Sequence, residues 1–338
     1  MPKSKKQIWG RALFVLLPVL CILISLTLGV YKVPIPHVFQ ILLGKITGNI
    51  PEEIKALEVS MVWDVRLPRI LGAVFTGCGL AIAGGVFQAL FSNPLADSYT
   101  LGVSNGAGFG AALAIIFSLS TVMIQLSAMF FGLLSVGLTF LLAGKRRRVP
   151  VTMILSGMLV SAFFSSLVSL LKFTADPEEK LPQIVYWLMG SFAGLGYQKL
   201  LIIVPGFVLG LVILILYRWR INILSMGNRE AKAMGINVKR DRAIVIFAST
   251  LMTALVVSIA GIIGWVGIVI PHLARMIVGP DFRKLMPVSA SLGICYLLII
   301  DDLCRTLTSQ EIPIGVITGI IGIPIFLYFI LREKVSWA

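Results

Sequence analysis

Charge is scarce in this chain: only 13% of its 338 residues are ionisable, against 58% that are hydrophobic, and the mean hydropathy is +0.97. So small a polar fraction cannot clothe a soluble globule of this length, which excludes a water-soluble fold. Metal ligands are scarce as well. The only histidines are His37 and His272, and the only cysteines are Cys21, Cys78, Cys295 and Cys304, all in apolar segments and none at metal-site spacing. The cysteines read as core packing residues, and His272, next to Pro271, as a hydrogen-bonding residue at a helix end. A Walker A phosphate loop is missing, because neither Gly44-Lys45 nor Gly144-Lys145 is followed by Ser or Thr or preceded by the required Gly. No His-Glu-x-x-His, no Gly-x-Ser-x-Gly and no nucleophile and base pair appears. The chain is therefore expected to hold no metal or cofactor and to perform no covalent chemistry.

What the sequence does contain is long apolar runs. A spanning helix needs roughly 20 apolar residues. Such runs predict ten spans, at 12–30, 68–90, 100–119, 122–143, 150–171, 199–217, 243–263, 265–278, 287–305 and 313–331. The fold class expected is an all-α polytopic membrane protein forming one domain over 1–338. The first run is longer than a signal-peptide core and lacks an Ala-x-Ala end, so it reads as a retained helix.

The 29 basic residues outnumber the 15 acidic ones. In a soluble protein that excess would suggest nucleic acid; here its distribution reports topology instead. Basic clusters fall at Lys3, Lys5, Lys6 and Arg11, at 145–148, across 218–242, at Arg283 and Lys284, and at Arg332 and Lys334. These predict cytoplasmic loops and two cytoplasmic termini, while the acid-rich 52–64 and 176–179 face outward. Three arginines misfit that sorting: Arg66 and Arg69 at the outer mouth of the second span, and Arg305 near the outer end of the ninth.

Glycine is abundant, with 32 residues, and clusters at 72–85, 102–110, 261–267 and 315–322. Small residues let lipid-embedded helices approach closely, so most of these glycines read as packing positions. A Gly-rich helix followed by a Pro-interrupted one recurs near 72–110 and 261–293, which predicts two halves of opposite direction. Ser92-Asn93-Pro94-Leu95-Ala96-Asp97 interrupts the chain before the third span.

Several of these segments carry a resemblance. Arg66-Leu67-Pro68-Arg69, 84–88, Asn93-Pro94-Leu95-Ala96 and 101–107 resemble the FecCD family of ABC importer permeases, which serves iron-siderophore, haem and cobalamin uptake. The second half agrees in order and spacing: 264–275, including Pro271-His272-Leu273-Ala274-Arg275, then 301–305, Glu311-Ile312-Pro313-Ile314-Gly315 and Gly322-Ile323-Pro324-Ile325-Phe326. The resemblance spans essentially the whole chain. It implies a BtuC-like bundle of about ten helices with inverted-repeat halves, in a bacterial or archaeal cell membrane. It also implies a second permease copy in a homodimer, two ATP-binding cassette subunits that bind ATP and Mg, and an extracytoplasmic substrate-binding lipoprotein or periplasmic protein. No nucleic acid is implied. Iron-siderophore is the cargo expected first, with haem or cobalamin behind it.

The same resemblance implies roles for particular residues. Gly227, Glu230, Ala231, Met234, Gly235 and Ile236, within a cytoplasmic loop at 218–242, match the segment that couples to the ATPase. The apolar Ala231, Met234 and Ile236 among charges suit either a cleft on a partner or an anionic lipid surface. Arg66, Arg69 and Arg305 match arginines that receive glutamates of the binding protein, a task suited to a planar, permanently charged fork. Local pairs are the other reading: Arg66 or Arg69 with Asp64, and Arg305 with Asp301 or Asp302. Gln88, Asn93, Pro94, Ser104 and Asn105 are assigned to the translocation pathway. The rival function is an ion-coupled secondary transporter with Asp97, Asp301 or Asp302 as the coupling site.

Overall fold

Residues 5–144, 150–308 and 310–332 are described in a computed structural model of the chain. Lys3, Lys334, both chain ends and the basic run 145–148 lie outside the described residues, so their expected cytoplasmic position has no structural counterpart here. The described residues form α-helices in the order α1 (Lys5–Thr27), α2 (Ile35–Thr47), α3 (Ala56–Ser60), α4 (Leu67–Phe91), α5 (Val103–Ile116), α6 (Thr121–Ala143) and α7 (Pro150–Thr174). They continue with α8 (Lys180–Met189), α9 (Tyr197–Ser225), α10 (Asn228–Ala233), α11 (Val238–Ala260), α12 (Val266–Val278), α13 (Phe282–Thr306) and α14 (Ile314–Arg332). A π-helical stretch, Met61–Arg66, joins α3 to α4.

Six helical stretches are long and apolar enough to cross a membrane, and shorter apolar helices lie at Leu13–Thr27, Val103–Ile116, Val266–Val278 and Ile314–Phe329. These ten correspond one to one with the ten apolar runs of the sequence. One differs from what its run predicts: the third, expected over 100–119, yields a helix of only 14 residues, while the eighth, already short at 265–278, yields one of 13. Both are about 20 Å at 1.5 Å per residue, short of a hydrocarbon core of about 30 Å. Each starts behind a residue with left-handed backbone, Gly102 (φ 82) and Trp265 (φ 71), so an apolar run continues while the helix does not. The long helix followed by a break and a short helix thus occurs twice, as α4 then α5 and as α11 then α12.

Burial sorts the bundle into a centre and a periphery. In α4 and α11, 78% of the apolar stretch is buried, against 33%, 28% and 28% in α6, α7 and α9. Helix α4 packs against α9, α11, α12 and α13. Close approach explains its glycines. A methyl on Gly77 would sit 2.3 Å from the Gly293 carbonyl oxygen on α13, and one on Gly84 would sit 1.9 Å from that of Gly267 on α12. With no hydrophobic force between helices in lipid, backbone contact of this kind supplies the dispersion that holds them.

Helix α9 outruns its predicted span by eight residues, to Ser225, and α11 begins at Val238. The arm expected over 218–242 therefore narrows to 226–237. Arginine does not end a helix, so a boundary drawn from hydropathy at Arg218 falls two turns early. Helix α2 had no signal as a span. It buries Val38, Ile41 and Gly44 and leaves Ile35, Phe39, Leu43 and Ile46 exposed.

Candidate functional site

Two clusters stand at opposite ends of the bundle. The Tyr197 hydroxyl, on the first turn of α9, donates to the Trp63 carbonyl at 2.7 Å, close to Arg66. The same helix runs 29 residues, about 43 Å, before reaching α10.

The first cluster is built by the glycine crossing. Arg69 lies eight residues before Gly77 on α4, and Asp301 eight residues after Gly293 on α13, so the antiparallel crossing sets the two side chains level. Arg69 Nε donates to both Asp301 carboxylate oxygens at 2.9 Å. Its Nη1 donates to both oxygens of Glu311 at 2.7 Å. Arg305, one turn further along α13, hydrogen-bonds Asp302, approaches Asp301 at 3.8 Å and donates to the Ser25 carbonyl at 2.6 Å. The Ser25 hydroxyl donates to Asp302 at 2.7 Å. Arg66, brought round by the π-helical turn, donates to the Leu26 carbonyl at 2.7 Å, to that of Thr27 at 3.4 Å and to that of Tyr31. Three carbonyls of the last turn of α1, which the helix itself leaves unpaired, thus receive arginine donors.

Arg66, Arg69 and Arg305 are 3%, 6% and 7% exposed, and their guanidinium groups are engaged within the chain. For Arg305 the local partner expected from the sequence, Asp302, forms. For Arg66 and Arg69 the expected partner Asp64 does not: Arg66 takes carbonyls, and Arg69 takes acids 232 and 242 residues away. Asp301 and Asp302 are committed to these arginines, which removes them as an ion-coupling site. Asp97 accepts from the Thr100 amide at 3.3 Å in the turn before α5, a capping role.

The expected pathway residues fall on α4, on the turn after it and on α5. Gln88 is directed between α4 and α12, where its amide donates to the carbonyls of Gly267 at 3.3 Å and Ile268 at 3.1 Å, and its oxygen accepts from Arg275 at 3.2 Å. Pro271 has no N–H for the Gly267 carbonyl, and Gln88 supplies the missing donor. Asn93 closes a turn, accepting from the Leu95 amide at 2.9 Å, with Pro94 inside it. Ser104 is buried and Asn105 half-buried on α5.

The second cluster is the arm at α10. This helix ends in a Schellman motif: the Ile236 amide donates to the Ala231 carbonyl and the Gly235 amide to that of Lys232, both at 3.0 Å. Gly235 takes φ 76, which a side chain would strain. Ala231 and Ile236 are buried beneath the motif, whereas Met226 and Met234, flanking α10, are 60% and 55% exposed. At the other end Glu230 folds back over Gly227, where a methyl would meet its carboxylate at 2.6 Å. A depression of about 670 Å³ lies beside the arm, lined by Asn228, Lys232, Gly235, Ile236, Asn237 and Lys239 among others.

Three residues that sequence reasoning missed tie together the helices on either side of this arm. Asp241, buried at the start of α11, accepts from Arg220 on α9 at 2.9 Å and from Arg240 at 3.2 Å. Asn222 donates to Asp281 at 2.7 Å and accepts from the Phe282 amide at 2.7 Å, so α9 grips the start of α13. Asp281 is held well below the usual carboxylate range, chiefly by the Arg283 hydrogen bond, which outweighs desolvation by burial, with the Asn222 hydrogen bond adding a smaller effect. An acid directly after Gly279-Pro280, and an Asn about one turn into the basic segment that starts at Arg218, were the available signals.

Residues 16–332 match the FecCD transport family. The molybdate import system permease protein MolB of Haemophilus influenzae is 43% identical over 320 residues, covering 94% of each chain. The hemin transport system permease protein HmuU of Yersinia pestis is 36% identical over 285 residues, covering 81% of this chain and 84% of its own. A solved metal-chelate type ABC transporter in an inward-facing conformation superposes with a TM-score of 0.85 at 40% identity, covering 97% of this chain and 99% of that one.

Proposed function

The chain belongs to the FecCD transport family, as an ABC importer permease whose ATPase is a separate subunit, and from that premise we propose that it carries a metal chelate into the cytoplasm. The observation that supports this reading best is the arm: a short helix between two spans, packed against α9 and α11, with Met234 and Met226 exposed at its flanks. A partner that moves this arm pushes on α9 and α11, and through Asn222 of α9 on the start of α13.

In the proposed assembly two copies of this chain face each other in a cell membrane, with both termini cytoplasmic. Helix α7 supports the pairing. Its exposed Ala162, Ser165, Ser166 and Ser169 form a small, hydroxyl-bearing stripe at i, i+3, i+4 and i+7, which suits a neighbouring helix better than acyl chains. Two ATP-binding cassette subunits, which bind ATP and Mg, would dock at Gly227, Glu230, Ala231, Met234, Gly235 and Ile236. An extracytoplasmic binding protein would dock at the rim organised by Arg66, Arg69 and Arg305. Gln88, Asn93, Pro94, Ser104 and Asn105 would lie near the pathway as scaffolding of its walls.

An iron chelate is the first cargo reading, and the likeness to the molybdate permease makes that oxyanion the second. The test is uptake into proteoliposomes holding the permease, its ATPase and its binding protein, with radiolabelled ferric siderophore and radiolabelled molybdate as competing cargoes. ATP-dependent accumulation of the siderophore is expected. Accumulation driven by an ion gradient without ATP would overturn the importer reading, and uptake of molybdate alone would overturn the chelate.

A further inference from the structure

Arg66, Arg69 and Arg305 are all taken up within the chain: Asp301 and Glu311 hold Arg69, Asp302 holds Arg305, and Arg66 donates to the carbonyls of Leu26, Thr27 and Tyr31. An incoming carboxylate finds Arg66 buried beneath the end of α1, and Arg69 and Arg305 already held by acids. Pulling a buried arginine away from its acid leaves an uncompensated charge in low dielectric, so a partner's carboxylate gains a place only by taking one that an own-chain acid gives up. The three acids differ in what leaving would cost. The Asp301 side chain is 1% exposed and that of Asp302 13%, whereas that of Glu311 is 38% exposed. Asp301 also sits on a helix, within reach of two arginines. Glu311 follows α13 in a non-helical segment and holds only the outer nitrogen of Arg69, while Asp301 keeps Nε and Nη2.

From this asymmetry we infer that Glu311 is an internal stand-in for a partner's carboxylate, released from Arg69 Nη1 when an acidic segment of the extracytoplasmic protein docks. The inference rests on the docking reading above. The exchange is isoelectric: one carboxylate replaces another on the same nitrogen, Asp301 stays, and Arg69 is never without an acid. Glu311, once released, turns to water through the face already open to it. Arg66 and Arg305 stay bound to the last turn of α1 and hold the rim in place.

Exchange makes a prediction that a merely structural salt bridge does not. In the native chain docking creates no net ion pair at Arg69, so its affinity depends weakly on salt there. In Glu311→Gln the place on Arg69 is filled only by a neutral amide. Docking then gains an ion pair outright, and becomes both tighter and more salt-sensitive. The experiment measures binding of the fluorescently labelled solute-binding protein of the same transporter to full-length permease, assembled with its ATPase in nanodiscs, between low and physiological salt. Glu311→Gln is expected to tighten binding by roughly three- to tenfold at low salt, with a steeper salt slope. Glu311→Asp keeps the charge but draws it back from Arg69; it is expected to shift the same way and serves where the amide variant does not assemble. Unchanged or weaker binding with an unchanged slope overturns the exchange. Failure of the native permease to bind at any salt overturns the docking reading itself.

Discussion

The two ends of the bundle use charge in opposite ways. At the arginine end the three cations and Asp301 are buried, cations and acids are equal in number, and they come from the π-helical stretch, α4, α13 and the segment after it. At the α10 end Arg229, Lys232, Lys239 and Arg240 are exposed, and among the described residues the buried acid is Asp241, gripped by Arg220 and Arg240. The first end is a closed tie whose charges hold helices together; the second is an open, basic surface carrying two exposed methionines. A tie of the first kind is hard to lose without losing the fold, while the second can change its contacts at little cost to stability.

The sharpest way to break this contrast is to remove the centre of the tie. Asp301→Ala leaves Arg69 and Arg305 short of a buried counter-charge and is expected to cost about 3–5 kcal/mol, read as lost thermal stability in nanodiscs. Arg229→Ala at the other end should stay within about 0.5 kcal/mol. Equal losses would erase the distinction. Next in size, Gly77→Ala puts a methyl 2.3 Å from the Gly293 carbonyl oxygen, forces the two helices apart and should cost about 1–3 kcal/mol. If it is neutral, the crossing does not set Arg69 against Asp301.

Gly235→Ala sharpens the other side. Its Cβ has open space, so only the left-handed backbone is strained, at about 1 kcal/mol. The fold and binding-protein association should survive while uptake per ATP hydrolysed falls in proteoliposomes; unchanged coupling would detach the arm from function. The smallest effect concerns Asp281. Its folded pKa lies below the unfolded value of about 3.9, so its stabilisation is fully present above that value and is lost as pH falls through the folded one. Melting temperatures of the native chain and Asp281→Asn should differ by a constant gap from pH 5 to 8 and converge only below about pH 4. A gap that changes near neutrality would assign the effect elsewhere.

Hydropathy made the ten apolar helices legible because lipid imposes the same requirement on each. It showed the eighth as a short run, 265–278, but not that the third is equally short, since left-handed backbone at Gly102 leaves no trace in an apolar run. The sequence also singled out Arg66, Arg69 and Arg305 as misplaced charges, but not their partners: Asp301 and Glu311 stand 232 and 242 residues from Arg69, and only the α4 and α13 crossing joins them. At the arm, Gly235 was noticed through a family pattern, whereas its left-handed turn is a property of the backbone. Asn222 and Asp281 escaped notice because a polar residue in a basic loop looks solvated until a second loop is folded against it.

Gln88 donates to a carbonyl that Pro271 left empty, across an interface where Gly84 and Gly267 already touch. Sliding α12 along α4 by one turn would strand that carbonyl in hydrocarbon and drive a side chain into a neighbouring backbone. The two helices therefore travel as a single plank. Any rocking that opens a passage has to bend at the loops on either side of it, 92–102 and 261–265, where the chain has already given up its helix and has least to lose by turning.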